Sequence, residues 1–161
     1  MNVFEFAIKM EQDGEQYYKK QAEINRDNNL YSICMMLATD EAHHAQILIN
    51  RQSQQSYELI DSETLKKAKN VFQGIGDVEM EIKSIPSQLD FYRIATEKEK
   101  QSIALYSELL SKSENQNDIE VLEFLIQQEK HHYEVLDNLA MLLQHTEEWV
   151  ESAEFGLRKD F

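Results

Sequence analysis

Three features of the sequence predict an all-α fold, an antiparallel four-helix bundle made of two helical hairpins joined by a long crossover. Among 161 residues there are four Gly and one Pro, and Leu, Glu, Gln, Lys, Ala and Met abound, a composition suited to long helices with few breaks. Apolar residues recur at helical spacing in four long stretches. The two halves also repeat: Glu11 to Tyr18 matches Glu99 to Tyr106, and Glu41-Ala42-His43-His44 matches Glu129-Lys130-His131-His132, at a constant offset of 88. A chain of this length suits one domain, since single cores run to roughly 100–200 residues.

The elements follow in order. From Phe4, the positions Ala7, Ile8, Glu11, Gly14, Tyr18 and Ala22 share a stripe, so a first helix runs to about Asn25. Arg26-Asp27-Asn28-Asn29 reads as a tight connection. A second helix carries Leu30, Ile33, Cys34, Leu37, Ala38, Glu41, His44, Ala45 and Leu48 on one face. The pattern then weakens from Gln52 to Ile85, a crossover holding a short helix over Asp61 to Phe72 that Gly74-Ile75-Gly76 breaks. Pro86, with Ser87 as cap, opens a third helix whose stripe takes in Phe91 or Tyr92, Ala95, Glu99, Ser102, Ile103, Tyr106 and Leu110. After a polar loop from Ser113 to Asn117, a fourth helix is marked by Leu122, Leu125, Ile126, Glu129, His132, Tyr133, Leu136, Ala140 and Leu143. The bundle is expected over 1–145. The tail, 146–161, is expected as a short helix folding back on the bundle, with Trp149 as a packing anchor and Phe155 and Phe161 beyond it.

Charge and cysteine usage exclude several classes of function. Thirty acidic residues against sixteen basic ones give −14, which repels nucleic-acid phosphates and anionic membranes alike. Lysines come singly or in pairs such as Lys19-Lys20 and Lys66-Lys67, with no basic patch, so no nucleic acid is expected as a partner. The start lacks a basic segment leading into an apolar run, and no stretch of 18 apolar residues occurs. A soluble, cytoplasmic protein without a membrane partner is the expectation. Cys34 stands alone, so one chain can build neither a disulfide nor a four-thiolate iron centre.

The chemistry lies in the acids that interrupt the apolar stripes. Each lone stripe acid, Glu11 or Glu99, precedes a Glu/His pair by 30 residues, and in each pair a spacing of three puts Glu41 with His44, and Glu129 with His132, on one helix face. Two such hairpins facing each other across a pseudo-twofold axis bring four carboxylates and two imidazoles to one level of the core. Isolated buried carboxylates are too costly unless paired or coordinated, and four of them balance two divalent cations. If the helices are rotated slightly, Glu15 or Glu97 rival Glu11 and Glu99 as the inward acids.

On these residues the chain resembles the rubrerythrin-like branch of the ferritin-like di-iron family, from the first helix to the fourth. The resemblance implies that Glu41 and Glu129 bridge two metal ions, that Glu11 and Glu99 are terminal ligands, and that His44 and His132 supply one imidazole each. It implies two iron ions, with Mn or Zn as competitors for the same oxygen and nitrogen donors. Two departures stand out. Rubrerythrins carry a further Glu one turn after the third-helix ligand, where this chain has Ser102. The paired cysteines of a rubredoxin-type centre are missing, so electrons are expected from an external donor protein.

Several neighbours carry two readings. Tyr18 and Tyr106 lie seven positions after each lone Glu, about 10 Å along the axis, and a long phenol leaning toward the N-terminus either reaches a ligand or fills the core. Gly14 and Ser102 leave room for metal, water or dioxygen, or serve packing. His43 and His131 point roughly 200° from the preceding Glu and are expected at the surface. Cys34 is expected in the core, since Leu122 stands seven residues before Glu129 as Cys34 does before Glu41. The leading functional reading is an oxidoreductase reducing hydrogen peroxide or dioxygen. The alternatives are ferroxidase-type iron handling, and a structural bundle whose metal site does not turn over. Family analogy adds a homodimer.

Overall fold

The protein's computed structural model describes residues 3–74 and 85–154, with side chains over 4–74 and 88–143. It is an all-α bundle of α1 (Val3–Ile24), α2 (Leu30–Gln52), α3 (Thr64–Gln73), α4 (Ile85–Lys112) and α5 (Gln116–Glu154). Helices α1 and α2 pack along each other as one hairpin, α4 and α5 as the second, and α3 of the crossover packs on α5 and α2. None of the described helices is long and apolar enough to cross a membrane.

Asparagines set the turns within the hairpins. Asn28 Oδ1 accepts the Leu30 N–H at 2.8 Å while its amide donates to Asn25 Oδ1 at 2.9 Å, which ends α1 and starts α2 within five residues. At the head of α5, Asn115 Oδ1 accepts the N–H groups of Asn117 and Asp118 at 2.9 and 3.2 Å, satisfying donors that the first helical turn leaves free. Arg51 donates to both Asn115 and Asp118, so the last turn of α2 is tied to the first turn of α5.

Helix boundaries differ from the expected ones at three places. Helix α4 begins at Ile85, so Ser87 sits inside the first turn instead of capping it; a proline costs nothing there because first-turn N–H groups need no helical partner. Helix α3 starts at Thr64, not Asp61, because Asp61 and Ser62 make side-chain and backbone bonds to α2 and α5 described below. Gly74 ends α3, while Ile75 and Gly76 lie outside the described residues. Helix α5 continues through His145 to Glu154, since no Gly or Pro interrupts that stretch. The side chain of Trp149, and all of Phe155 and Phe161, lie outside what is described.

The core is split in two. One apolar cluster holds Tyr18, Ala22, Leu37, Ala38, Phe91, Ala95, Val135 and Leu136 with their neighbours, Cys34 among them. The other holds Ala7, Ile47, Leu48, Tyr106, Val121, Leu122 and Leu125. Each long helix therefore passes from one cluster to the other, and in each the residue between is a glutamate: Glu11, Glu41, Glu99 or Glu129. All four are buried.

Candidate metal centre

The six residues that the repeat singled out meet in the layer between the two apolar clusters. Ligand atoms of Glu11, Glu41, His44 and Glu129 lie within 4.8 Å of one another, as do those of Glu41, Glu99, Glu129 and His132. Glu41 and Glu129 belong to both groups. The imidazoles of His44 and His132 face each other across the site, ring centres 5.7 Å apart. Glu97 is exposed and Glu15 pairs with Lys19 at the surface, so neither rival acid turns inward.

Both histidines present Nδ1 to the carboxylates. His44 Nδ1 lies 2.8 Å from Glu129 and 3.3 Å from Glu11; His132 Nδ1 lies 3.3 Å from Glu41 and 3.4 Å from Glu99. The other nitrogen of His132 has a partner the sequence reading missed. Its Nε2 lies 2.9 Å from Asp40 Oδ2, and because that carboxylate only accepts, Nε2 carries the proton. Asp40 in turn accepts the Ser62 hydroxyl from the crossover at 2.8 Å. A signal for Asp40 existed in the repeat: it immediately precedes one Glu-x-x-His pair, as polar Gln128 precedes the other.

Tyr18 and Tyr106 do reach glutamates, but they cross over. Tyr18 donates to Glu99 and Tyr106 to Glu11, each at 2.5 Å, so each tyrosine bonds the lone acid of the opposite hairpin. An early residue of α1 pairing with a late one of α4, and the reverse, is the register of antiparallel helices. Seven residues of helix place a phenol about 10 Å from its own glutamate, too far to reach, but beside the one across the seam.

The space beside Gly14 is also accounted for. A Cβ built there would come within 3.1 Å of Glu41 Oε2 and 3.3 Å of its Cδ, so glycine makes room for the Glu41 carboxylate itself. A cleft of about 210 Å³ lined by Met10, Gly14, Tyr18, Glu41, Glu99 and Ser102 leads to this edge of the site. The Ser102 hydroxyl turns back to the Lys98 carbonyl at 3.1 Å and stays out of the carboxylate cluster. His43 is exposed and His131 meets Gln127 at the surface.

Electrostatics divide the four acids into two kinds. Burial and the negative charges of Glu11 and Glu99 push the Glu41 carboxyl well above its usual range. Burial and the charges of Glu11, Glu41 and Glu99 do the same to Glu129. For Glu11, burial also pushes upward, but His44 and the Tyr106 hydrogen bond outweigh it and hold the carboxyl at about 2. Glu99 is likewise lowered, burial being overcome by His132 and the Tyr18 bond. Burial opposes the charge on His132, yet Glu99, Asp40 and Glu41 raise it well above its ordinary value. The protonated form is thus favoured at the two acids shared between the groups, and the charged form at the two bonded by tyrosine.

These residues fit a cation site. Glu99 Oε2, both carboxylate oxygens of Glu129 and His132 Nδ1 are buried without a properly aligned hydrogen bond, although fully buried polar atoms nearly always have one. All four belong to residues of the Glu41, Glu99, Glu129 and His132 group, and carboxylate oxygen with imidazole nitrogen is a donor set for first-row divalent metals. Neither the comparison with curated proteins nor that with solved structures gave a match. The family model for rubrerythrin matches residues 2–140, which takes in all four bundle helices up to Ala140 on α5 and every residue of the candidate centre. The chain belongs to the rubrerythrin family, whose domain is a ferritin-like helical bundle.

Proposed function

We propose that this chain is a non-haem di-iron oxidoreductase that reduces hydrogen peroxide or dioxygen with electrons from an external donor protein. The observation that carries the reading is the pair of Glu/His groups sharing Glu41 and Glu129 in a rubrerythrin-family bundle. In it Glu41 and Glu129, which belong to both groups, would be shared by two iron ions, with Glu11 and His44 completing the donor set of one position and Glu99 and His132 that of the other. Iron held there would supply the electrons for reduction of the oxidant.

The chain's own residues do the rest. Tyr18 and Tyr106 fix the orientation of Glu99 and Glu11 and keep them ionised. Burial and neighbouring carboxylates favour the protonated form of Glu41 and Glu129 in the metal-free chain, so binding of metal there would release protons. The cleft of about 210 Å³ beside Gly14 and Ser102 has room for peroxide or dioxygen. A single buried cysteine leaves no thiolate iron centre within these residues, so the electrons would reach the site from a donor outside them.

The test is anaerobic iron loading followed by stopped-flow mixing with one equivalent of peroxide or with dioxygen. Two irons per chain, with reoxidation faster than that of free ferrous ion, are expected; bound iron that reoxidises no faster would sink the enzymatic reading. Gly14→Ala sharpens it. Replacing a mid-helix glycine favours the helix by about 0.8–1 kcal/mol, yet the new methyl group presses on Glu41. The metal-free variant is expected to melt no lower than the parent while binding iron about tenfold more weakly. Unchanged affinity in an isothermal titration would show that Glu41 has slack.

A further inference from the structure

Asp40 and Gln128 are related by the offset of 88, each immediately before a Glu-x-x-His, yet they differ in chemistry. Asp40 accepts the Nε2–H of His132 at 2.9 Å. Gln128 gives the second hairpin no such service to His44: its amide donates to Asp61 Oδ1 at 3.0 Å, and its carbonyl accepts the Ser62 N–H at 3.2 Å, so both ends are engaged by the crossover. His44 Nε2 has no hydrogen-bond partner among the described residues, and the ring lines a cleft of about 600 Å³ between α2 and the crossover, with Met36, Thr39 and Gln128.

An imidazole whose far nitrogen donates to a fixed carboxylate is locked in one tautomer and one orientation, with the near nitrogen left as a lone pair aimed at the metal; such partners are worth roughly 10–100-fold in metal affinity. We infer that Asp40 makes the two metal positions unequal, so that the position of Glu99 and His132 fills before that of Glu11 and His44. This rests on the di-metal reading of the site. Asp40 is a positioning residue: it acts through His132 and touches no metal. The crossover has a part in the inequality, because Ser62 holds Asp40 toward His132 while Asp61 and Ser62 hold Gln128 away from His44.

The experiment is titration of the metal-free full chain with Co(II), followed by calorimetry and by the visible absorption of the bound ion. The parent chain is expected to show two steps with dissociation constants at least about tenfold apart. His132→Ala should remove the tighter step and His44→Ala the weaker, which assigns them. Asp40→Ala should weaken the tighter step by about 10–100-fold and leave the other within about threefold; Asp40→Glu should restore part of the loss. Ser62→Ala, which keeps the His132 partner, should cost less than Asp40→Ala. A merely structural role for Asp40 would weaken both steps together, and that result overturns the inference, as would two equal steps in the parent. A parent chain that takes up no Co(II) fails the di-metal reading itself.

Discussion

Glu129→Gln is expected to take the iron content of the loaded chain from two ions to fewer than one, while the metal-free variant keeps the parent's stability to within about 1 kcal/mol. The two halves of that result have one cause. Glu129 sits in both ligand groups, so its loss strips a donor from each position. In the absence of metal its protonated form is favoured, because burial and the neighbouring carboxylates oppose ionisation. A neutral amide of the same shape therefore replaces a neutral acid. Glu41→Gln should behave alike for the same reasons. Glu11→Gln should not. Its carboxylate is ionised and held by Tyr106 and His44, so the amide breaks a charge-assisted contact and destabilises the metal-free bundle by about 1–3 kcal/mol, while disturbing only one of the two positions. Metal analysis after loading and denaturant unfolding of the metal-free variants measure both effects. A Glu129→Gln chain that retained both ions would show that the carboxylates do not bridge.

The contrast between these glutamates explains what could be read from sequence and what could not. The six candidate ligands were legible because burying charge on an apolar stripe is costly, so each acid stood out against a 3.6-residue period, and the repeat confirmed the register. The lone acids are also where each helix passes between the apolar clusters, a division set by the helical pattern alone. Contacts between hairpins were not legible. Tyr18 was marked as within reach of a ligand, but that its partner is Glu99 and not Glu11 depends on the antiparallel crossing of α1 and α4, which no local period encodes. Asp40 escaped because one residue of helix turns it about 100° off the stripe. Its partners lie 92 residues away on α5 and 22 away on the crossover, beyond any periodicity. Helix α5 runs on to Glu154, where the sequence reading set a separate tail after residue 145, because nothing in the residues from His145 to Glu154 stops a helix.

Chelation of the bound metal is expected to lower the melting temperature by ten degrees or more, and the interval between metal-bound and metal-free protein is expected to widen as pH rises from 6 to 8. The size follows from mass action. A ligand held at a thousand times its dissociation constant stabilises the native state by about 4 kcal/mol, and each 1 kcal/mol moves the melting temperature of a chain this long by roughly 2–4 °C. The pH trend follows from where protons sit. In the metal-free protein Glu41 and Glu129 have raised carboxyls and His132 a raised imidazole, so above pH 4.5 the native state binds more protons than the unfolded chain. Their contribution is complete below the unfolded values and is lost as pH rises toward the folded ones, so metal-free stability falls with pH. Glu11, Glu99 and Asp40 are lowered, and what they add is lost only in acid, well below pH 6. Metal displaces the protons of Glu41, Glu129 and His132, so its affinity climbs over the same range, by up to tenfold per pH unit for each proton released. Melting curves at pH 6, 7 and 8 with and without Zn(II), together with proton release in weakly buffered solution, test the account. An interval that stays flat or narrows, with no protons released, would mean that the shared carboxylates are already ionised before metal arrives, and that a cation other than a transition metal, or a different hydrogen-bond arrangement, balances them.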